Sequence, residues 1–217
     1  PITEGRRAEI AQLKPAVADV WLAAADGTRV HAWHLKSGPA LVLYFGGNAE
    51  DVAGNLDLFA AAFPDRSLFL VNYRGYGGSS GQPAEAGLVA DALAVFDHVR
   101  REHSEIAVMG RSLGSGVAVQ VASARPVERL VLVTAFDSLV NVAKEYFRWL
   151  PLGLLLKDRY DSARHASAVN TSVLMVIAGE DEIIPRARAQ ALAKAFPAGQ
   201  IRVEIVPRFG HNTLDLS

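Results

Sequence analysis

Several short runs of this 217-residue chain are apolar at almost every position, and longer stretches with helical spacing separate them. Two examples are ALVLYF at residues 40–45 and LVLVTAF at residues 130–136. A strand has this pattern when helices cover both faces of a parallel sheet, because neither face of the strand then meets water. The alternation therefore predicts an α/β fold with a mostly parallel central sheet and helices on both faces.

Two regions depart from this alternation. Near the start, AVADVWLAA and TRVHAWHL flank the dipeptide Asp26-Gly27, which is typical of an antiparallel hairpin. From about residue 137 to 170 the strand rhythm stops, and NVAKEYFRWLPLGLLL predicts short helices inserted over one end of the sheet. No repeat or linker-like stretch divides the chain, so we expect a single domain over residues 1–217 with a small lid-like insertion at about 137–170.

Charge and composition exclude several classes of function. The chain has 22 Lys and Arg residues against 23 Asp and Glu residues, so its formal net charge is -1 and we expect no nucleic-acid partner. Cysteine is absent, which removes disulfides, thiolate metal sites and a cysteine nucleophile, and which fits reducing and oxidising compartments alike. The apolar runs are much shorter than the ~20 residues that span a bilayer, so no membrane span is expected within the chain.

A serine stands between two glycines directly after the apolar run IAVM, in the sequence GRSLG at residues 110–114. Small residues two positions before and two after a serine let a tight strand-to-helix turn hold its side chain above the sheet. The spacing matches the G-x-S-x-G nucleophile elbow, which makes Ser112 the candidate nucleophile. The alternative is a glycine-rich packing or phosphate-binding turn, although the glycines fit neither the dinucleotide-binding pattern nor the P-loop pattern.

A serine hydroxyl is a weak nucleophile, so it needs a base to take its proton. In this class of fold the acid and then the base follow the nucleophile, each on a loop at the carboxyl end of a strand. His211, in FGHN, follows the last predicted strand, IRVEIVP. The other five histidines lie in the hairpin, in a predicted helix or in the insertion, so His211 is the candidate base.

The acid that orients the base has two candidates. Asp181 follows the predicted strand SVLMVIAG and is our preferred acid, with Glu180 and Glu182 as solvated neighbours. Asp137 directly follows RLVLVTAF, and some hydrolases of this architecture take the acid from that position.

Attack of Ser112 on an acyl carbon creates an oxyanion, which backbone N–H groups stabilise in a water-poor site. One predicted donor is the N–H of Leu113, the residue after the nucleophile. The other is the N–H of Asn48 in FGGN, after the third strand, where two glycines let the backbone approach closely. A glycine turn with Asn48 capping a helix is the structural alternative and is compatible with this role.

These motifs together resemble the α/β-hydrolase superfamily. Within it the chain is similar to the group of the eukaryotic α/β-hydrolase-domain proteins 13, 12 and 17 and their bacterial homologues, through YFGGNAED, VNYRGYGGSSGQP, GRSLGSGVA, LLLKDRYDS, GEDEIIP and GHN in the same order. The resemblance implies a serine hydrolase with Ser112, Asp181 and His211 as its triad. It also implies small-molecule or lipid-like acyl esters or thioesters as substrates, and the chemistry needs no metal and no organic cofactor.

The chain departs from that group at its glycine loop and at its ends. Gly46-Gly47-Asn48 stands where the group usually has His-Gly-Asn, so a side chain that braces the loop is lost and we expect looser oxyanion geometry. Relatives continue beyond Ser217 into a helix, and many carry an amino-terminal membrane anchor. The chain begins at Pro1 rather than Met, so we expect a trimmed upstream segment; the protein would be membrane-associated with an anchor there and cytoplasmic without one. The sequence does not indicate an oligomeric state.

The predicted insertion offers an apolar wall for an acyl chain, formed by Tyr146, Phe147, Trp149, Leu150 and Leu154. The alternative is that these side chains only pack the insertion onto the body. The leading function is a carboxylesterase or thioesterase. The alternatives are an acyltransferase or a peptidase that uses the same triad, and a non-catalytic hydrolase-like binding protein.

Overall fold

A computed structural model describes residues 4–14, 16–147 and 149–214 and contains an eight-stranded sheet in the order β1-β2-β4-β3-β5-β6-β7-β8. The strands are β1 (Val17–Ala23), β2 (Arg29–Leu35), β3 (Ala40–Phe45), β4 (Arg66–Val71), β5 (Ile106–Arg111), β6 (Arg129–Val133), β7 (Ser172–Ala178) and β8 (Ile201–Val206). The first two strands form the antiparallel hairpin, and β3 to β8 are parallel to one another. The predicted α/β fold with a mostly parallel sheet is confirmed.

Helices cover both faces of this sheet. They are α1 (Glu4–Leu13), α2 (Leu56–Ala62), α3 (Glu85–Val99), α4 (Leu113–Ala124), α5 (Leu139–Tyr146), α6 (Leu152–Leu155), α7 (Ser162–Ala166) and α8 (Arg186–Ala195). Alternate residues of β3 show why its sequence is apolar throughout. Leu41 and Leu43 belong to the core that includes α3, α4, α7 and α8, whereas Val42 and Tyr44 belong to the core that includes α1 and α2.

The hydrophobic spacing of residues 50–63 predicts one helix after β3, but the structure has two short ones. A 3₁₀ helix over Val52–Asn55 comes first, and α2 follows it. The Asp51 side chain accepts a hydrogen bond from the N–H of Ala53 and so begins the 3₁₀ turn. Gly54 and Asn55 are poor helix formers, which accounts for the break.

Residues 137–147 and 149–170 carry three short helices, α5 to α7, and no strand. The segment that follows α6 is fastened to the first turn of α3. The Glu85 carboxylate accepts hydrogen bonds from the N–H groups of Arg159 and Tyr160, at 2.7 and 3.0 Å, and the N–H of Glu85 donates to Asp158 at 3.0 Å. Within the described residues, no helix combines the length and hydrophobicity that crossing a bilayer requires.

Candidate active site

Ser112 stands on a strained turn between β5 and α4. Its φ of 50° and ψ of -117° lie outside the regions that non-glycine residues normally adopt, at a cost of about 1–3 kcal/mol. The surrounding backbone holds this conformation: the N–H of Ser112 donates to the carbonyl of Val133 at 2.9 Å, and its carbonyl accepts from the N–H and the hydroxyl of Ser115 at 2.9 and 2.6 Å. The turn presents the Ser112 hydroxyl at the carboxyl edge of the parallel sheet.

The two flanking glycines are required by close packing of backbone against backbone. A Cβ atom on Gly110 would lie 2.3 Å from the carbonyl oxygen of Gly114, and one on Gly114 would lie 2.0 Å from the carbonyl oxygen of Phe45. No real Cβ tolerates such distances, so any side chain at either position would push α4 away from β3 and β5. The G-x-S-x-G spacing therefore has a steric cause in this fold.

The structure brings Ser112, His211 and Asp181 together from the ends of β5, β8 and β7. The Ser112 hydroxyl lies 2.8 Å from Nε2 of His211, and Nδ1 of His211 lies 2.9 and 3.0 Å from the two carboxylate oxygens of Asp181. With its proton on Nδ1, the imidazole donates to Asp181 and accepts from Ser112. His211 is 4% exposed, so this contact is shielded from water.

Asp181 is held in the ionised form. Burial by itself raises the pKa of this carboxyl group, but hydrogen bonds from His211 and from the N–H groups of Ile184 and Ile183 outweigh burial and lower the pKa below its usual value. At neutral pH the group is therefore an acceptor only, which fixes the tautomer of His211.

Asp137, the other candidate acid, has different partners. One of its carboxylate oxygens accepts from the side-chain amide of Asn141 at 2.8 Å and from the guanidinium of Arg188 at 3.3 Å. These contacts join β6 to α5 and α8. The acid in hydrogen-bond contact with His211 is Asp181.

Glu180 and Glu182 are both exposed, as the sequence suggests, but Glu182 also contacts the base. Its Oε2 atom accepts a hydrogen bond from the backbone N–H of His211 at 3.0 Å, and this bond is the largest cause of the lowered pKa of Glu182. No sequence signal marks this contact, because it joins two loops 29 residues apart.

The predicted oxyanion donors lie on two backbone segments next to Ser112. Leu113 begins α4 directly after the nucleophile, and Asn48 belongs to the loop of residues 46–49 that follows β3, hereafter the 46–49 loop. A Cβ atom on Gly47 would lie 3.7 Å from Cβ of Ser112, which shows how closely this loop approaches the serine. Within the described residues, the N–H groups of Asn48 and Leu113 have no intramolecular acceptor, so both are available to a bound oxyanion.

The side chain of Asn48 does not cap a helix. Its Oδ1 atom accepts a hydrogen bond from the hydroxyl of Tyr76 at 2.5 Å, and the cap of the following 3₁₀ helix is Asp51. The capping alternative is therefore wrong, and the asparagine instead ties the 46–49 loop to the glycine-rich loop that carries Tyr76.

The 46–49 loop is firmly braced although Gly46 lacks a side chain. The N–H of Gly47 donates to Oε2 of Glu50 at 2.5 Å, and the hydroxyl of Tyr73 donates to the carbonyl of Gly46 at 2.9 Å. The sequence predicts a looser loop from the missing side chain, and these contacts supply support that the sequence does not reveal.

The apolar residues suggested as a substrate wall are mostly exposed. Tyr146 contacts the loop that carries Asp181, because its hydroxyl donates to the carbonyls of Glu182 and Ile183 at 3.0 and 2.9 Å. Trp149 and Leu154 are 81% and 87% exposed. Phe147 is also exposed and Leu150 is half-buried, so most of this surface faces solvent and does not pack onto the body.

Among the residues that the structure describes, no group of three or more His, Cys, Asp or Glu side chains is arranged to hold a metal ion.

The fold and the sequence relatives define the class of this protein: it has the α/β-hydrolase fold, and its sequence is similar to that of a protein named as an α/β-hydrolase domain-containing protein. It is 39% identical over 212 residues to the uncharacterized protein Rv2307c of Mycobacterium tuberculosis, covering 93% of this chain and 75% of that protein. It is 28% identical over 200 residues to the α/β-hydrolase domain-containing protein WAV2 of Arabidopsis thaliana, covering 81% of this chain and 65% of that protein. No protein-family model matches the chain.

Solved structures of low sequence identity share the same fold. The acetyl xylan esterase from Paenibacillus sp. R4 superimposes with a TM-score of 0.73 at 22% identity, covering 91% of this chain and 79% of that one. The α/β-hydrolase domain-containing protein 10 from mouse superimposes with a TM-score of 0.72 at 17% identity, covering 90% of this chain and 91% of that one.

Proposed function

We propose that this protein is a serine hydrolase that cleaves carboxylic ester or thioester bonds through an acyl-enzyme intermediate. The observation that carries the proposal is the hydrogen-bonded series Ser112, His211 and Asp181, with contacts of 2.8 and 2.9 Å in a buried setting. A serine nucleophile needs a base within hydrogen-bond reach and an acid that orients that base, and each requirement is met by one of these residues.

In the first half of the reaction, Oγ of Ser112 attacks the acyl carbon while Nε2 of His211 takes the hydroxyl proton. The acyl oxygen becomes an oxyanion and accepts hydrogen bonds from the N–H groups of Asn48 and Leu113. Asp181 stabilises the imidazolium that forms. The imidazolium then gives its proton to the departing alcohol or thiol, and the acyl group remains on Ser112.

In the second half, water replaces the alcohol or thiol. His211 takes a proton from this water as the water oxygen attacks the acyl-enzyme, and the same two N–H groups hold the second oxyanion. Collapse of the tetrahedral intermediate releases the carboxylic acid, and His211 returns the proton to Ser112. No electron is transferred, so the cycle closes with water as the only co-reactant.

An apolar acyl group suits the surroundings of this site. Trp149 and Leu154 are exposed apolar side chains in the segment after Tyr146, whose hydroxyl contacts the loop that carries Asp181. Exposed apolar side chains in a segment that contacts this loop favour an apolar ligand. The structural neighbour named acetyl xylan esterase supports ester cleavage as the reaction class.

We expect a fluorophosphonate probe to label the purified protein at Ser112. The probe forms a phosphonyl ester with the serine oxygen and releases fluoride only when a base activates that serine, so labelling tests the nucleophile and the base together. Mass spectrometry of the labelled peptide locates the modified residue, and Ser112→Ala is the matched control. A folded wild-type protein that neither labels nor hydrolyses p-nitrophenyl esters would refute the proposal and would favour a binding role.

Replacing the exposed side chains of Trp149 and Leu154 is expected to change the preference of the enzyme for the length of the acyl chain. In the double variant Trp149→Ser, Leu154→Ser we expect kcat/KM for p-nitrophenyl octanoate to fall by about tenfold, because roughly two methylene contacts at ~0.8 kcal/mol each are lost. The acetate ester, whose acyl group ends in a single methyl, is expected to keep its rate. Val203→Ser, on the partly exposed strand β8, is the control for a generic surface change. An equal loss for both esters would argue against a wall for the acyl chain.

A further inference from the structure

We propose that Glu50 is a positioning residue for this reaction: it holds the 46–49 loop in place of a side chain at position 46, and through Arg111 it connects that loop to His211. The inference rests on the proposed hydrolase function, since it concerns how accurately the N–H of Asn48 meets the oxyanion. Glu50 itself touches neither Ser112 nor the imidazole of His211 within the described contacts.

The carboxylate of Glu50 accepts hydrogen bonds from three nearby residues. Its Oε2 atom accepts from the N–H of Gly47 at 2.5 Å, and its Oε1 atom accepts from the hydroxyl of Tyr44 and the side-chain amide of Asn55, both at 2.7 Å. The Glu50 side chain is only 12% exposed. Two of these donors lie on β3 and on the 3₁₀ helix, so both elements fix the position of the carboxylate. The carboxylate in turn fixes the position of Gly47 through its hydrogen bond.

Arg111 extends this support to the base. One guanidinium nitrogen lies 3.4 Å from Oε2 of Glu50, and the other donates to the carbonyl of His211 at 3.2 Å. Arg111 directly precedes Ser112, so the same side chain leaves the nucleophile turn and reaches both the 46–49 loop and the histidine loop. Gly47, Glu50, Arg111 and His211 thus form one connected series of polar contacts.

The Glu50 and Val52 side chains both lie against Gly46. A Cβ atom on Gly46 would lie 2.8 Å from Cγ1 of Val52, 3.2 Å from Cδ of Glu50 and 3.3 Å from Oε2 of Glu50. A side chain at position 46 would therefore displace Val52 and would push the Glu50 carboxylate by a few tenths of an ångström. The glycine at this position, where the resembling group usually has histidine, leaves Glu50 in its present position.

The consequence for rate follows from how oxyanion donors work. A backbone N–H stabilises the transition state only when it is already aimed at the developing charge, and loss of one such donor costs about 100- to 1,000-fold in kcat. A loop that loses its brace keeps the donor but misplaces it, so we expect a loss of about 10- to 100-fold. Substrate binding through the acyl group is unaffected, and KM stays near its wild-type value.

The test compares Glu50→Ala and the isosteric Glu50→Gln with wild type on p-nitrophenyl butyrate, with thermal unfolding followed in parallel. We expect Glu50→Ala to show the full 10- to 100-fold loss in kcat and Glu50→Gln a smaller one, since its amide oxygen still accepts from Gly47 but the charge that attracts Arg111 is gone. Glu102→Gln, which removes an exposed carboxylate paired with Lys36, is the control and retains wild-type kcat.

A double-mutant cycle separates positioning from general loss of structure. Gly46→His alone is expected to lower kcat because its side chain displaces Val52 and shifts the Glu50 carboxylate, whereas in the Glu50→Ala background the same change is expected to lower kcat by a smaller factor, because only the contact with Val52 remains. Such non-additivity is expected if the two changes disturb the same contact between Glu50 and the 46–49 loop.

The outcomes are distinguishable. Glu50 variants with wild-type kcat, or losses that are additive in the cycle, would overturn the positioning role. If Glu50→Ala does not fold, Glu50→Gln decides the question by its kcat at unchanged unfolding temperature. Failure of the wild type and Glu102→Gln to label or turn over would instead contradict the hydrolase proposal itself.

Discussion

Ser112→Ala is expected to lower kcat for a p-nitrophenyl ester by about a million-fold, because the acyl-enzyme route disappears completely with the hydroxyl group. The residual rate comes from binding and from the N–H groups of Asn48 and Leu113, which act on a directly attacking water and still provide about 1,000- to 10,000-fold over the uncatalysed reaction. Removal of Oγ leaves the backbone strain at Ser112 in place, so the variant is expected to fold normally.

Steady-state hydrolysis with a fluorophosphonate-treated blank measures this loss. Ser123→Ala is the matched control, because Ser123 lies on the same helix, α4, and its hydroxyl donates only to the carbonyl of Gln120. A Ser112→Ala protein that retains most of the wild-type rate would show that another group is the nucleophile.

Asp181→Asn is expected to lower kcat by about 10,000-fold while the protein remains folded. An amide at this position no longer offers two negatively charged oxygens to Nδ1 of His211, so the imidazole loses both the preferred tautomer and the charge that stabilises its protonated form. KM changes little, because Asp181 touches the base and has no role in holding the acyl group.

Asp137→Asn tests the other candidate acid in the same assay. Its carboxylate pairs with Asn141 and Arg188, so we expect a lower unfolding temperature and a kcat close to that of wild type. A large loss of kcat in Asp137→Asn together with an active Asp181→Asn would reverse the assignment of the acid.

The arrangement of sheet and helices follows from local sequence patterns. Runs such as ALVLYF form buried strands because successive side chains pack against helices on opposite faces of the sheet. A strand that is apolar on both faces is stable only where both faces are shielded from water. The boundaries are less predictable. Within residues 50–63, the helix is interrupted at Gly54 and Asn55 because Asp51 caps a separate 3₁₀ turn. Hydrophobic spacing does not predict such a turn.

The contacts among Ser112, His211 and Asp181 also follow from sequence order, for a topological reason. Each residue comes directly after a strand, and the carboxyl ends of parallel strands meet at one edge of the sheet, so residues 30 and 99 positions away from His211 reach hydrogen-bond distance. Gly110 and Gly114 make the turn at Ser112 predictable, because neighbouring backbone atoms lie too close to these positions for any Cβ atom.

The support of Ser112, His211 and Asp181 depends on the tertiary structure. Local sequence patterns are enough to predict which strands form the sheet and which residues follow them. Glu182 on the backbone of His211, and the series through Glu50 and Arg111 that braces the 46–49 loop, depend on side chains that converge from separate loops. A carboxylate in a loop has the same appearance in sequence whether it faces water or accepts a backbone N–H. Whether such a carboxylate faces water or accepts an N–H depends on differences of a few tenths of an ångström in packing, such as the space next to Gly46. Sequence patterns do not contain this information.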